Sequence, residues 1–533
     1  MTGHTVDMVD TLLAATGTSG STGTSDPSGA GEENPYLLGI YAPVRDEINA
    51  EDLEVIGEIP ADLNGVYLRN GPNSRFEVGG RYHWFDGDGM VHAMSFENGR
   101  ARYRNRYVRT HAFRCEDEAG RALWKGVMES PAGNPAGTAR GLPFKDSGNT
   151  DLTWFDGRVL ATWYMCGQPV SMDPLSLDSL GAETFLGTLT GDMMAHPKLD
   201  ERTGELMWFD YGARSPLLRY GVVGATGAVS HEVSIDLPGP RLPHDMAITE
   251  HYSILMDLPL VADPEAARHG RHKIVFDRGM PSRFGVIPRF GTAEQVRWFE
   301  AEPCYIYHVV NAHEVVTAAG GVAIVMDVCR VTRPEPLPTR PGPLGKLLGY
   351  LRLDARLHRY RFDLDTGACT EEQLDDANAE FPSIDTRRAG RAGRYAYTTH
   401  IADTETVLFD GLLRYDLVSG ERQEHRFGPG RYGSEAPFAP RDGAAPLDRA
   451  MPLDRAMPRD GAGVSDGASE DDGYLVTFVT DERDGRSEVQ ILDAADLAAG
   501  PVGRVLLPVR VPLGFHATWV RADQLRTKSL TSG

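Results

Sequence analysis

The sequence predicts an all-β protein, either a sandwich, a barrel or a propeller, and three observations lead to this fold class. Short segments rich in β-branched and aromatic residues recur along the chain, and Gly, Asp or Pro separates each from the next. The 59 glycines and 35 prolines are ordinary for many short strands joined by turns. Four histidines, far apart in sequence, each stand at the edge of a predicted strand. A radial array of sheets would bring them together on one axis.

The chain of 533 residues is predicted to carry one large domain behind a short tail. Residues 1–33 are mostly Thr, Ser, Gly and Ala, which offer little to bury, so we expect a disordered N-terminal tail. Residues 34–533 are expected to form a single domain, because closed β architectures can exceed the usual domain size.

The strands are predicted in order from residue type and turn signals. Residues 53–60 and 65–73 each predict a strand followed by a turn. Residues 83–96 predict a strand, an Asp-Gly turn and a second strand. Further strands are predicted at 158–164, 205–211, 253–258, 321–329, 357–362, 395–399, 411–416, 474–480 and 487–492.

Two segments interrupt this pattern. The hexamer at 446–451 is repeated at once at 452–457 in polar surroundings, which predicts a flexible surface insertion at about 442–472. Residues 340–351 are a short apolar stretch with flanking cations. For this stretch a helix that covers one face of the domain is favoured over a lip that dips into a membrane surface.

The segment 302–314 places a histidine on rigid backbone. Its first half is rich in β-branched and aromatic residues and predicts a strand, with His308 near the strand end. An unbroken strand would point His308 and His313 to opposite faces, so only one is expected to face the centre. His196, His244 and His516 stand at strand edges in the same manner. Imidazole binds zinc, copper, iron and nickel, so four histidines predict a metal site without naming the metal.

The charge and the cysteine content limit the possible partners and the cellular compartment of the protein. The 54 Lys and Arg against 76 Asp and Glu give a net charge of −22, which argues against nucleic acid as a partner. Five cysteines without a Cys-x-x-Cys pair predict reduced thiols in a cytoplasmic protein. No signal peptide and no run of eighteen apolar residues is present, so we expect a soluble or at most peripheral membrane protein.

Two strings carry a family resemblance: Arg-Asn-Gly-Pro-Asn at 69–73 and Phe-Asp-Gly-Asp-Gly-Met-Val-His at 85–92. With the four histidines, they resemble the carotenoid cleavage oxygenases, which include apocarotenoid oxygenases, lignostilbene dioxygenases and the retinoid isomerohydrolase. The similarity runs from Asn34 to about Trp519 and is strongest to the bacterial apocarotenoid-cleaving branch. It implies a seven-bladed β-propeller with the metal on its axis, and loops and short helices that cap one face.

The resemblance also implies the metal and its surroundings. It assigns His196, His244, His308 and His516 as ligands of Fe(2+), whereas His313 falls at a variable position and is expected to be an ordinary blade residue. Family members hold three of the histidines with glutamates, because a carboxylate on the distal ring nitrogen fixes the ring. Two of these glutamates are matched here: Glu380 in Ala-Glu-Phe-Pro-Ser and Glu435 in Gly-Ser-Glu-Ala-Pro-Phe.

The third family glutamate is absent from this chain. Counting from Asn149 puts Tyr164 in its place, and counting back from Pro169 puts Met165 there. We therefore expect one histidine, His244, to be held by Tyr164 or by water, and Tyr164→Phe to lower iron occupancy. Phenol-cleaving relatives carry a Lys just before this glutamate, where this chain has Trp163 or Tyr164, which favours a hydrocarbon-like polyene as substrate.

The function implied by the resemblance is oxidative cleavage of an alkene. A non-haem iron(II) dioxygenase would use O2 to split a conjugated C=C bond of a carotenoid or apocarotenoid into two carbonyl products. Cleavage of a stilbene or phenylpropenoid double bond is the nearest alternative. A propeller that binds apolar ligands without turnover is the alternative from another class. Apolar residues around Tyr305 and Phe515 are candidates for a substrate tunnel, although core packing is favoured for them.

Overall fold

A computed structural model describes residues 33–78, 82–138, 142–212, 216–263, 274–335, 338–443 and 470–531. The tail expected at 1–33, apart from Glu33, lies outside these ranges, as does most of the insertion expected at 442–472. The first thirteen strands are β1 Asn49–Ala50, β2 Val55–Gly57, β3 Gly65–Arg69, β4 Met90–Glu97, β5 Arg100–Tyr107, β6 Asp151–Phe155, β7 Arg158–Thr162, β8 Val170–Met172, β9 Ser179–Ala182, β10 Lys198–Asp200, β11 Glu205–Tyr211, β12 Leu218–Val223 and β13 Val229–Ile235.

The remaining strands follow at the same short spacing, as the turn signals predict. They are β14 Ala247–Ile248, β15 Tyr252–Asp257, β16 Leu260–Ala262, β17 Ile274–Phe276, β18 Ser282–Pro288, β19 Arg297–Ala301, β20 Tyr305–Val316, β21 Val322–Val331, β22 Ala355–Asp363, β23 Cys369–Gln373, β24 Ala379–Ser383, β25 Tyr395–Ile401, β26 Phe409–Asp416, β27 Arg422–Arg426, β28 Arg431–Gly433, β29 Phe438–Pro440, β30 Gly473–Asp481, β31 Ser487–Asp493, β32 Pro501–Leu506 and β33 Ala517–Arg521.

Seven antiparallel sheets of four or more strands form the blades within the described ranges. In chain order they are blade 1 (β1, β3, β4, β5, β33), blade 2 (β6–β9), blade 3 (β10–β13), blade 4 (β14, β15, β18, β19), blade 5 (β20–β23), blade 6 (β24–β27) and blade 7 (β2, β28–β32). A small ribbon of β16 and β17 projects from blade 4. The seven-bladed propeller implied by the family resemblance is therefore confirmed.

The end strand of each blade faces the axis. In blades 1 to 6 these are β33, β6, β10, β14, β20 and β24, each at the end of its sheet, and contacts join β33 to β6, β6 to β10, β14 to β20 and β20 to β24. Buried apolar side chains fill the spaces between blades, and the largest cluster joins blades 4, 5 and 6. Such interlocked sheets hold the axial strands rigidly, which suits residues that must converge on one point.

The ring of blades is closed by strands from both ends of the domain. In blade 1, β33 pairs antiparallel with β3, from Gly65 opposite Arg521 to Arg69 opposite Ala517. In blade 7, β2 pairs with β32, with Val55 opposite Val505. Each closing sheet therefore mixes early and late segments of the chain.

Within the part of the chain that the structure describes, three α-helices lie outside the blades: α1 His111–Ala119, α2 Gly342–Gly349 and α3 Ala522–Thr531. Helix α2 falls within the apolar stretch 340–351, and its Leu347 and Leu348 are buried. Leu348 packs in a cluster that includes Tyr36, Trp84 and Phe515, above the axis. The covering helix predicted for this stretch is therefore present.

Two strand predictions differ from the structure. The strand predicted at the start of 83–96 is a 3-10 helix, Trp84–Asp86, because His83 Nδ1 accepts from the Phe85 N–H while Asp86 accepts from the His83 N–H. The strand predicted at 158–164 ends at Thr162. Beyond it, the Trp163 and Tyr164 carbonyls accept from the Ala195 N–H and the Tyr211 hydroxyl, so they leave the sheet ladder.

Candidate metal centre

Four of the axial strands carry a histidine at or near their start. His196 lies two residues before β10, His244 three residues before β14, and His516 immediately before β33. His308 is the fourth residue of β20, where the register with β21 shifts between Ile306 and Val309. That irregularity turns the side chain out of the regular alternation of the strand. The prediction of a strand edge matches His196, His244 and His516, whereas His308, predicted near the end of its strand, is the fourth residue of the twelve-residue β20.

The four imidazoles come together on the axis. One ring nitrogen from each of His196, His244, His308 and His516 lies within 4.8 Å of the others. The four side chains are at most 9% exposed. The Nε2 atoms of His196 and His308 are buried, and neither has a hydrogen-bond partner among the described residues. Buried ring nitrogens are normally satisfied, so orphaned atoms that face one another fit a bound cation.

Burial keeps these rings able to bind a metal. It lowers the pKa of His196 and His308 well below the ordinary value, with a further contribution from the neighbouring imidazoles. Burial likewise lowers the pKa of His244 to about 3. Neutral imidazole is the form that coordinates a metal, so these three rings are ready to bind without losing a proton at neutral pH.

Glu380 supports His308 directly. Its Oε2 lies 2.5 Å from His308 Nδ1, on the side of the ring away from the cluster. The same oxygen accepts from the Phe381 N–H at 2.7 Å, which fixes the carboxylate. Glu380 is fully buried, and burial raises its pKa well above the ordinary value. A cation at Nε2 of His308 would oppose that shift by favouring the carboxylate form.

Glu435 occupies the matching position for His516. Its Oε2 lies 3.3 Å from His516 Nδ1 and also accepts from the Ala517 N–H. Burial is the largest single effect and would lower the pKa of His516, but the Glu435, Asp151 and Asp245 carboxylates together outweigh it and the net shift is upward. Phe381, at φ +50°, stacks on the His516 ring with centroids 4.6 Å apart. This left-handed conformation places an aromatic ring directly against the cluster.

His196 has a carboxylate neighbour that the sequence analysis did not identify. Asp151 Oδ2 accepts from the His196 N–H at 3.2 Å and lies 3.9 Å from Nδ1 of the ring. His196 itself has φ +67°, which is uncommon for a residue with a side chain. In the sequence Asp151 is a single acid at the start of a strand, a pattern shared with many exposed residues, so only its place on an axial strand could have pointed to it.

His244 is surrounded by aromatic rings instead. The Tyr164 centroid lies 6.1 Å away and that of Tyr307 5.1 Å away. Among the described residues, Tyr164 packs near the ring without a hydrogen bond to His244. Met165, the other candidate for this position, is buried in a separate apolar cluster.

His313 does not join the four. It lies half-buried on the other face of β20, opposite Val325 of β21, and lines a small cavity with Asp327 and Asp385. Only His308 of the two joins the cluster, as expected, although the register shifts on both sides of Val309 break the regular alternation that the prediction assumed.

Two cavities of different chemistry meet at the cluster. The one on the capped side, about 40 Å³, is lined by His244, His308 and His516 and by apolar residues that include Trp84, Leu351 and Phe515. No Lys, Arg, Asp or Glu lines this cavity among the described residues. Phe515 thus lines the space beside the cluster, whereas Tyr305 is buried in the core between blades. An apolar chamber beside the imidazoles suits a hydrocarbon ligand.

The cavity on the opposite side is larger and polar. It measures about 230 Å³, touches His196, His308 and His516, and extends to the exposed Thr386. Its lining carries the charged side chains of Asp151, Lys198, Glu201, Asp245 and Glu435. Lys198 Nζ pairs with Asp245 at 2.6 Å within it. The four histidines therefore separate an apolar chamber from a polar one.

A seven-bladed propeller with four buried imidazoles on its axis and an apolar chamber beside them fits a histidine-ligated metal site. A family model described as "Retinal pigment epithelial membrane protein" matches residues 41–521. The chain belongs to this family, that of the carotenoid cleavage oxygenases.

Individual relatives agree with the family assignment. The chain is 36% identical over 522 residues to a carotenoid 9,10(9',10')-cleavage dioxygenase of Crocus sativus, covering 92% of this chain and 90% of that protein. The crystal structure of a lignostilbene dioxygenase from Pseudomonas brassicacearum has a TM-score of 0.77 at 28% identity and covers 92% of this chain and 98% of its own. The crystal structure of cobalt-substituted Synechocystis apocarotenoid oxygenase has a TM-score of 0.74 at 27% identity. The match covers 90% of this chain and 97% of that protein.

Proposed function

We propose that His196, His244, His308 and His516 bind a ferrous ion and that the protein is a dioxygenase cleaving a conjugated C=C bond of a carotenoid or apocarotenoid. One observation carries the proposal: the orphaned Nε2 atoms of buried, neutral imidazoles converge beside an apolar chamber. Four neutral ligands leave coordination positions open for the reaction, unlike a closed structural zinc site with thiolates.

When bound, the ferrous ion supplies the redox chemistry that activates O2 for insertion into the double bond. The protein residues supply the rest. Glu380 and Glu435 hold the His308 and His516 rings in one orientation through their distal nitrogens. We propose that Tyr164 holds His244 through ring packing. Phe381 and Phe515 exclude water from the side where the alkene lies.

The lining of the apolar chamber supports a long, uncharged substrate. Its described walls hold aromatic and aliphatic side chains, with Thr150 as the only hydroxyl besides those of tyrosines. A polyene gains its binding free energy from the burial of apolar surface and needs no charged anchor. The Crocus sativus relative is named as a dioxygenase that cleaves carotenoids, which supports the same substrate class.

A second candidate is the cleavage of a stilbene or phenylpropenoid. The lignostilbene dioxygenase structure has the higher TM-score of the two solved structures above, which favours this candidate. Against it, no Lys lines the described part of the chamber to anchor a phenol. Both candidates use O2 and give two carbonyl products, so they differ in substrate and not in chemistry.

Product analysis separates the candidates. The protein is loaded with Fe(II) under anaerobic conditions, then exposed to ¹⁸O2 with an apocarotenal or a hydroxystilbene, and the products are weighed by mass spectrometry. We expect two labelled carbonyl fragments from the apocarotenal. Labelled aldehydes from the hydroxystilbene alone would establish the second candidate. If the protein binds iron fully but converts neither compound, the remaining hypothesis is a propeller that binds apolar ligands without turnover.

We further propose that the protein is cytoplasmic. We also propose that residues 340–351 make a peripheral membrane contact, through which an apolar substrate reaches the protein. No helix of the described ranges is both long and apolar enough to cross a membrane. All five cysteines are free thiols, which agrees with a reducing compartment. Lys346 on α2 is exposed while Leu347 and Leu348 face the core, so contact would use the cationic face of this helix.

A further inference from the structure

We infer that Asp151 is a positioning residue for His196 and supplies the third carboxylate of the metal centre. The inference deepens the proposed function and rests on it. The family pattern puts a glutamate where this chain has Tyr164, so one carboxylate is missing from its expected place. The structure offers a carboxylate at a different histidine, from a different position in the sequence.

The order of the blades around the axis supports this assignment. Blades 1, 3, 4 and 5 contribute the histidines His516, His196, His244 and His308. The three other blades contribute one acid each to the axis: Asp151 from blade 2, Glu380 from blade 6 and Glu435 from blade 7.

Each acidic blade adjoins a blade that carries a histidine. Blade 6 adjoins blade 5, so Glu380 meets His308, and blade 7 adjoins blade 1, so Glu435 meets His516. Blade 2 adjoins blade 3 in the same way, and β6 contacts β10. Asp151 therefore lies beside His196 in the order of the blades as Glu380 lies beside His308, but at 3.9 Å from the ring nitrogen it accepts from the His196 backbone N–H instead. Blade 4, which carries His244, has histidine-bearing blades on both sides.

The local contacts of Asp151 fit the same role. His196 Nε2 is buried without a described partner and faces the other imidazoles, whereas Nδ1 faces Asp151 Oδ2 at 3.9 Å. That oxygen also accepts from the His196 N–H and from the Thr153 hydroxyl, both at 3.2 Å. The carboxylate thus holds the backbone of a residue in a left-handed conformation and orients its ring toward the cluster.

The test compares four variants of the full chain loaded with Fe(II) or with Co(II). Asp151→Asn keeps the shape and removes the charge, Asp151→Ala removes both, and Asp151→Glu restores a carboxylate. Glu201→Gln is the matched control, because Glu201 lines the same polar cavity but pairs with Arg521 at 2.8 Å. The readouts are the rate of iron release to a ferrous chelator and the visible absorption spectrum of the Co(II) form.

We expect Asp151→Ala and Asp151→Asn to release iron about tenfold faster than wild type and to shift the Co(II) bands. Asp151→Glu should restore most of the difference, and Glu201→Gln should match wild type. Wild-type release rates and spectra in both Asp151→Ala and Asp151→Asn would overturn this inference alone. An equal change in Glu201→Gln would overturn it too, since the effect would then come from the charge of the cavity. Failure of the wild-type chain to bind iron would overturn the proposed function as well.

Discussion

The histidines of the centre differ in what supports each ring. His308 and His516 have a glutamate on Nδ1, and His196 has the shorter Asp151 at a longer distance. His244 has aromatic neighbours instead. A carboxylate raises the basicity of a ligand and fixes its ring, whereas packing only restricts rotation. We therefore expect His244 to be the ligand most easily lost.

The glutamate that supports His308 should matter more for metal affinity than for folding. Glu380→Gln keeps the size of the side chain but removes the negative charge next to Nδ1. We expect iron affinity to fall about 10- to 100-fold, measured by competition with a chelator. The matched control is Glu371→Gln, because Glu371 also pairs with a histidine, His358, at 3.0 Å but lies away from the axis. Equal affinity in wild type and Glu380→Gln would contradict the expected role.

Substitution of Tyr164 distinguishes packing from hydrogen bonding at His244. The sequence predicts that Tyr164→Phe lowers iron occupancy, which requires the hydroxyl to act on His244. The ring contact in the structure instead predicts a larger loss of iron for Tyr164→Ala than for Tyr164→Phe. Metal content after dialysis, measured by mass spectrometry, decides between them. A loss of the same size in both variants would assign the effect to the hydroxyl.

The ligands were predictable from the sequence, but only part of their support was. The four histidines each precede or begin a run of strand-forming residues, and Glu380 and Glu435 lie in apolar surroundings that match the family motifs. Asp151 has no such signal, because a single acid at the start of a strand is usually exposed. Its role depends on which blade lies next to which, and that order follows from the closure of the ring.

At the level of elements, the strands were more predictable than the segments that cap the axis. Most predicted strands lie within two residues of the observed bounds, since turn residues mark their ends. The 3-10 helix Trp84–Asp86 was missed because its aromatic residues resemble a strand. What decides the conformation is the pair of hydrogen bonds between His83 and the 3-10 helix, a local detail that residue type alone does not reveal.

Helix α2 is held to the cap by a few buried side chains. Leu348 is 1% exposed and packs among aromatic residues above the axis. Leu348→Ala should lower the free energy of unfolding by about 2 to 5 kcal/mol, because it leaves a cavity in a closely packed cluster. Lys346→Ala, on the exposed side of the same helix, is the control and should change it little. Urea unfolding of both variants checks the prediction. Equal free energies of unfolding for Leu348→Ala and Lys346→Ala would contradict the packing role of Leu348.

For the whole molecule, buried histidines outside the centre should make the fold sensitive to acid. Outside the centre, burial lowers the pKa of His83 and His313 to about 4 and that of His92 well below its ordinary value. A histidine whose pKa is lower in the folded state stabilises the fold fully above pH 6.5, the unfolded value. That stability is lost as the pH falls toward the folded pKa, because the unfolded chain takes up the protons first.

The expected loss can be measured on protein freed of iron. Between pH 7.5 and 5.5, each of these three histidines should lower the free energy of unfolding by about 1.4 kcal/mol. Asp86 and Asp146 act in the opposite direction, because burial raises their pKa to about 6 and about 8, so the contribution of one histidine is read from a matched variant. His313→Gln removes one titrating group far from the centre and should reduce the fall by about 1.4 kcal/mol. Urea unfolding at the two pH values gives the numbers. The same change in the free energy of unfolding in wild type and in His313→Gln would contradict the lowered pKa of His313.

The pairing of β33 with β3 has a consequence for the order of events in the cell. His516 is the last of the four imidazoles to leave the ribosome, and the strand that holds it must find a partner made almost 450 residues earlier. During translation the unfinished chain offers three imidazoles and an open ring, so acquisition of the ion has to wait for release of the last blade. The complete set of four imidazoles therefore exists only once the C-terminal strand has joined blade 1.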